Sequence, residues 1–127
     1  MSKSVKKTIL IVEDDNSLLS ALTAVLQEAN QYRIIPATDG VIGLKKAIQS
    51  KPSLILLDLI MPHMSGQELL TALRNDGWGR TVPVIVLTND ASEKAQTAAY
   101  GSAAPAFYIK SNTSLREIRD AVHYHLN

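Results

Sequence analysis

The chain has 127 residues, of which 46% are hydrophobic and 20% charged, with a formal net charge of +1. That length holds one domain around one sizeable core, and the composition is that of a globular chain. The near-neutral charge excludes a broad basic footprint for nucleic acid, and the lack of cysteine excludes disulfides, thiol nucleophiles and thiolate metal sites together.

No apolar run approaches the ~20 residues of a membrane-spanning helix, and the N-terminus has no signal-peptide core. A cytoplasmic location is therefore expected. Residues 1–7, with Lys3, Lys6 and Lys7, are expected to form a flexible, solvated tail.

Ile9–Val12 is a short continuous apolar run, the pattern of a strand buried on both faces. A helix follows from Asp15 or Asn16, with Leu18, Leu22, Val25, Leu26 and Ala29 along one face. Arg33–Ala37 is a weaker strand. The next helix spans Asp39–Ser50, turns Val41, Leu44 and Ile48 inward, and stops before Pro52. Leu54–Leu57 is a second buried-type strand. Ser65 and Glu68 then form a capping box at the start of the third helix, with Met64 placed to staple onto Leu69. Val84–Leu87 is the third strong strand. Ser92–Tyr100 reads as an alanine-rich helix with little apolar surface to anchor it. Ala106–Ile109 is the last strand. The final helix, capped by Thr113 or Ser114, lines up Leu115, Ile118, Val122 and Leu126.

Five strand–helix repeats with short connections predict a doubly wound α/β sandwich, with helices on both faces of a parallel sheet. Nothing marks a second domain, so a single domain over residues 1–127 is expected. Gly40–Gly43 is too short for a dinucleotide fingerprint, and no Walker A sequence occurs.

In such sheets ligands bind beyond the carboxyl ends of the strands. Glu13, Asp14 and Asp15 follow the first strand, Asp58 the third, Thr88 the fourth, and Lys110 ends the fifth. Capping and the helix dipole account for Asp15. Asp58 is different, because a lone carboxylate buried after an apolar strand is unfavourable unless something pairs with it. If the first and third strands are neighbours, Glu13, Asp14 and Asp58 share a pocket, where repulsion raises their pKa values or recruits a cation. Mg²⁺, a hard ion that keeps waters and shares its shell with phosphate, suits that set. Lys110 can simply pair with one of the acids, and Thr88 can simply be a β-favouring residue. A hydroxyl and an ammonium beside a metal-bound carboxylate are also what a transferring phosphoryl group requires around its oxygens.

The segments ILIVEDD (9–15), LILLDLIMPHMSG (54–66), PVIVLT (83–88) and FYIK (107–110) together resemble the receiver domain of two-component response regulators. The resemblance runs in order over essentially the whole chain. It implies a flavodoxin-like (βα)5 sandwich with a five-stranded parallel sheet in the order 2-1-3-4-5. It implies that Asp58 is the phosphoacceptor, attacking a phosphohistidine on a sensor histidine kinase or phosphotransfer protein. Asp14 and Asp58 would ligate Mg²⁺, with Glu13 helping through water and the backbone carbonyl of Ile60 adding a ligand. Lys110 would pair with a phosphoryl oxygen, Thr88 would turn its hydroxyl toward the new group, and Phe107 would occupy the aromatic switch position. Such a domain is no conventional enzyme, although it promotes its own phosphorylation and the hydrolysis of its acyl phosphate. Its output would pass to a downstream protein effector through the fourth helix, fifth strand and fifth helix. No direct nucleic-acid or membrane binding is implied, and a monomer or weak dimer is expected.

Other readings fare worse. A phospho-independent interaction module of the same fold would typically lack Asp58, Lys110 or the acid pair. A dehalogenase-type phosphatase needs an acid two residues after its nucleophile, where this chain has Ile60. A flavodoxin needs a hydroxyl- and glycine-rich phosphate loop after the first strand, which here is anionic.

The sequence departs from the receiver pattern in places. Ser111 follows Lys110 where proline is usual, so no cis peptide is expected there, since a non-proline cis bond costs ~2.5–4 kcal/mol. Asn89 replaces a small residue after Thr88 and is expected to narrow access to the site. Phe107 lacks the hydroxyl of the tyrosine often found there, and Tyr108 should face the other side of the strand. Pro105 is expected to stiffen the approach to the fifth strand. His63 reads as a solvated loop histidine. His123 and His125 point to different faces, and Trp78 reads as a local packing residue.

Overall fold

A computed structural model of the chain describes residues 6–101, 104 and 106–126. The elements alternate as β1 (Lys7–Val12), α1 (Asn16–Gln27), β2 (Tyr32–Ala37), α2 (Gly40–Ser50), β3 (Leu54–Leu57), α3 (Gly66–Asn75), β4 (Val84–Thr88), α4 (Glu93–Gly101) and β5 (Ala106–Ile109). A short 3-10 turn over Lys110–Asn112 leads into α5 (Leu115–Leu126). All strand pairs are parallel, in the order β2-β1-β3-β4-β5. This is the expected doubly wound order. It reverses between β1 and β3, which opens a crevice at their carboxyl ends.

Strand alternation divides the core into two layers. Ile9, Ile11, Leu54, Leu56, Ile85 and Leu87 pack against α1 and α5. Leu10, Val12, Ile55, Leu57, Val84 and Val86 pack against α2, α3 and α4. Both faces are covered, which is why β1, β3 and β4 read as unbroken apolar runs.

Helix starts follow the capping chemistry of the sequence. The Asp15 carboxylate accepts the N–H groups of Ser17 and Leu18, and Asp39 accepts that of Ile42. Ser65 and Glu68 close the capping box as read, and Met64 packs in the same layer as Leu69. Ser114 and Glu117 form the same reciprocal pair ahead of α5, which settles its cap.

Several inward faces differ from their expected composition. In α1 the buried stripe is Leu19, Leu22, Val25 and Leu26; Leu18 is partly buried, and Ala29 lies exposed beyond the last turn. In α5 Leu115 is largely solvent-facing, and Ala121 joins Ile118, Val122 and Leu126. The largest correction is in α2. Val41 and Ile48 are 52% and 43% exposed, while Gly40, Gly43 and Ala47 are buried. The reason is distance: a Cβ on Gly43 would sit 2.8 Å from Val12 Cγ1 and 3.1 Å from Leu69 Cδ1. The helix lies so close to β1 and α3 that only small residues fit beneath it.

At the N-terminus, Lys7 opens β1 and its ammonium donates to the Leu126 carbonyl, so it belongs to the sheet. Lys6, also of the expected tail, is exposed and its ammonium donates to Asn30 Oδ1 at 2.6 Å; residues 1–5 lie outside the described residues, as does Pro105. No cis peptide occurs among the described residues, and Lys110–Ser111 is trans.

The close seat of α2 has a measurable signature. Gly43→Val should lower stability by roughly 1–3 kcal/mol through overpacking. Ile48→Gln should change it by less than ~0.5 kcal/mol, as exposed substitutions do. Denaturant unfolding of both variants checks the pair, and the opposite ranking would place Ile48 inside.

Candidate functional site

The carboxyl ends of β1, β3, β4 and β5 meet at one edge of the sheet. Register fixes who meets whom. Val12 pairs with Leu57, so Glu13 and Asp58 leave adjacent strands side by side. Thr88 pairs with Ile109, the residue before Lys110. The Asp58 N–H donates to the Val12 carbonyl at 3.1 Å, and the Glu13 N–H to the Ala37 carbonyl at 2.9 Å. Both acids therefore sit on backbone that continues the ladder.

Glu13, Asp58 and Thr88 are the buried polar side chains among the described residues, at 2%, 5% and 0% exposure. Lys110 resolves the burial of the two acids. Its ammonium lies 2.6 Å from Glu13 Oε1 and 2.9 Å from Asp58 Oδ2. The remaining lone pairs find backbone donors, with Asp15 N–H on Glu13 Oε2 at 3.1 Å and Ile60 N–H on Asp58 Oδ1 at 3.2 Å. Thr88 Oγ1 accepts the Asp90 N–H at 3.2 Å. Exposed Asp14 completes an acidic group: Glu13, Asp14 and Asp58 each offer an oxygen within 4.8 Å of the others. This is a set of hard oxygen donors, one side open to solvent, and it fits a divalent cation.

Gly66 explains how the loop that carries Asp58 is held. An added Cβ would lie 2.0 Å from the Asp58 carbonyl oxygen and 2.7 Å from Leu59 Cα. The Gly66 N–H donates to the Leu59 carbonyl at 3.0 Å. The first turn of α3 thus rests directly on the backbone of Asp58, and only glycine permits that approach. Sequence reasoning quoted Gly66 without giving it this role; its place directly after the Ser65 cap, eight residues beyond a strand-end aspartate, was the available signal.

The other singled-out residues take the following places. Phe107 packs, half-buried, in the α2–α3–α4 layer, and Tyr108 packs in the opposite layer, as alternation required. His63 is exposed in the β3–α3 loop, its Nδ1 3.4 Å from the Asp39 carboxylate. His123 Nδ1 meets the Tyr32 hydroxyl at 3.1 Å, at the far end of the sheet, and Trp78 packs beside α3.

The response regulator receiver domain family matches residues 9–123. The chain belongs to that family. Histidine kinase P4 of Formosa agariphila is 42% identical over 87 residues, 68% of this chain and 6% of that protein. Transcriptional regulatory protein KdpE of Mycobacterium tuberculosis is 38% identical over 96 residues, 74% of this chain and 41% of that one. The chain thus spans only a minor part of these curated relatives. The CheY-like receiver domain protein from Methanospirillum hungatei superposes with a TM-score of 0.87 at 27% identity, covering 96% of this chain and 94% of its own. This receiver domain is a phosphoacceptor module of two-component signalling. Among its described residues, no helix is long and apolar enough to cross a membrane.

Burial, only partly offset by the bonds from Lys110 and the Asp15 N–H, holds the Glu13 carboxyl above its ordinary value. Burial alone would pull the Lys110 ammonium down, but its bonds to Glu13 and Asp58 outweigh that and raise it. A lysine held above its unfolded value contributes stability that is intact below the ordinary 10.5 and lost as pH climbs through the folded value. For Glu13 the sign is opposite. The folded receiver keeps this proton to higher pH than the unfolded chain, so ionising Glu13 costs stability as pH rises above 4.5. Glu13→Gln retains an acceptor for Lys110. In Mg²⁺-free buffer its melting temperature relative to the wild type should rise from pH 4 to pH 7, because only the wild type must ionise the buried carboxyl over that range. Thermal melts across that range check it; a difference that falls with rising pH would show that ionising Glu13 is net favourable.

Proposed function

We propose that Asp58 is the residue that accepts the phosphoryl group, and that Glu13, Asp14, Thr88 and Lys110 form the machinery around it. The observation that carries this reading is the Lys110 ammonium, shared between two buried carboxylates beside a third, exposed one. The donor would be a phosphohistidine on a sensor histidine kinase or phosphotransfer protein. A bond forms between an Asp58 carboxylate oxygen and phosphorus as the N–P bond to the imidazole breaks, leaving the electron pair on nitrogen.

Asp14 and Asp58 would hold Mg²⁺, with Glu13 through water and the Ile60 carbonyl as a further ligand. When bound, the ion neutralises charge on the transferring oxygens. Lys110 does the same from its own side, at a position fixed before the donor arrives. Its ammonium can follow the new dianion and loosen its hold on Glu13. Thr88 has its oxygen occupied by the Asp90 N–H, and its proton remains to be donated to a phosphoryl oxygen.

The new dianion offers charge-assisted bonds that the resting state lacks, and such a difference is what shifts a two-state equilibrium. Along β4, Thr88 shares a face with Val84 and Val86, and Phe107 pairs with Val86. A movement of Thr88 toward the acceptor would therefore change the space beside Phe107, its proposed switch partner. Among the residues of α4 whose burial is described, Ala99 alone is fully buried, so that helix is the one most easily displaced. The proposed output surface is α4, β5 and α5, presented to a protein effector. The proposed setting is the cytoplasm, within a single domain.

Two variants test the reading. With Mg²⁺ and acetyl phosphate, the wild type should gain the mass of one phosphoryl group, labile to base, and Asp58→Asn should gain none while melting almost normally. Labelling of that variant at the wild-type rate would move the acceptor elsewhere. Asp14→Ala should weaken Mg²⁺ binding tenfold or more in a titration, and an unaltered curve would remove Asp14 from the ligands.

A further inference from the structure

Two of the departures from the receiver pattern meet each other in space. The Ser111 N–H donates to Asn89 Oδ1 at 3.1 Å, joining the loop after β4 to the 3-10 turn after β5. Each partner requires the other's departure. A proline at position 111 would have no N–H to give, and a small residue at position 89 would have no side-chain oxygen to receive it. Asn89 is exposed at the rim of the site, next to fully buried Thr88. Ser111 is bonded directly to Lys110, whose ammonium spans Glu13 and Asp58.

We propose that Asn89 is a positioning residue for the acceptor site: its clasp on the Ser111 N–H fixes the backbone carrying Lys110. The proposal rests on the reading of Asp58 as acceptor and Lys110 as its charge partner. The 3-10 turn is otherwise tied down weakly. It begins without a side-chain cap, and its closing Thr113 N–H reaches the Lys110 carbonyl at a long 3.4 Å. The Thr113 hydroxyl holds the Ile109 carbonyl at 2.7 Å, which anchors the strand end rather than the turn. The Asn89 bond therefore supplies a restraint on the peptide that follows Lys110. It comes from the loop that directly follows Thr88, so the two groups that must converge on the phosphoryl oxygens share one tether. The Asn89 side chain is at the same time drawn toward the turn after β5. Asn89 thus acts as a tether, in addition to any narrowing of the entrance by its size.

This role predicts a split that a merely structural one does not. Lys110 contributes to transfer only when its ammonium is in place, whereas Mg²⁺ is held by carboxylates for which Lys110 competes. Asn89→Ala should therefore slow labelling by acetyl phosphate, measured at saturating Mg²⁺, by about two- to tenfold, the range of a single neutral hydrogen bond. Mg²⁺ affinity should be unchanged or tighter. Ser111→Ala keeps the N–H and should behave as the wild type. Ser111→Pro should reproduce the slowing, and the double variant Asn89→Ala/Ser111→Pro should be no slower than the slower single one, since both remove the same bond.

An Asn89→Ala variant that labels at the wild-type rate overturns the proposal. So does slowing by Ser111→Ala to the same extent, or a matching loss of Mg²⁺ affinity, which would mean a general loosening. If Ser111→Pro fails to fold, the comparison of Asn89→Ala with Ser111→Ala decides alone. If the wild type itself takes no label, the acceptor reading fails. Amide hydrogen exchange then judges the clasp separately: faster exchange at Ser111 in Asn89→Ala supports it, and an unchanged rate overturns it.

Discussion

The structure turns on one electrostatic arrangement, an ammonium placed between two carboxylates that the sheet has taken out of water. Each of these charges alone would be costly at that depth. Glu13 and Asp58 are brought together by parallel pairing of β1 with β3, and Lys110 reaches them from β5 across β4. The sheet order is thus part of the chemistry. Any topology that separated β1 from β3 would strand Glu13 as an unpaired buried charge and leave Asp58 with Lys110 alone.

The same arrangement is stable without being satisfied. Glu13 remains harder to ionise than a free carboxyl even with Lys110 against it, because burial exceeds what the lysine returns. In the proposed reading, a site left with excess negative charge would take a divalent cation, and after that a phosphoryl dianion held by cation and ammonium together. Acceptance of a highly charged group at the end of an apolar strand then follows from what the resting site lacks.

Much of this was legible in the sequence because its signals are local. Continuous apolar runs marked β1, β3 and β4, and capping residues marked the starts of α1, α3 and α5. Asp58 after four consecutive aliphatic residues advertised an unpaired charge. Less legible were features that depend on how closely elements approach. Val41 and Ile48 have the spacing of a buried face, yet α2 turns Gly43 and Ala47 inward because β1 and α3 leave no room for more. No periodicity encodes that distance. Asn89 and Ser111 were each visible as departures, but their pairing is a contact across 22 positions that only the folded chain reveals.

The glycine at the head of α3 carries a consequence for where movement can occur. With the backbone of Asp58 pressed against that helix at contact distance, Asp58 and α3 form one unyielding block, and rearrangement on that side would require the core to open. The opposite bank, from Thr88 through α4 to the turn beyond Lys110, is held by exposed loops and a thinly anchored helix. The domain is in this sense lopsided. In the proposed reading, one half would be a stationary mount for the incoming charge, and the other half would report its arrival.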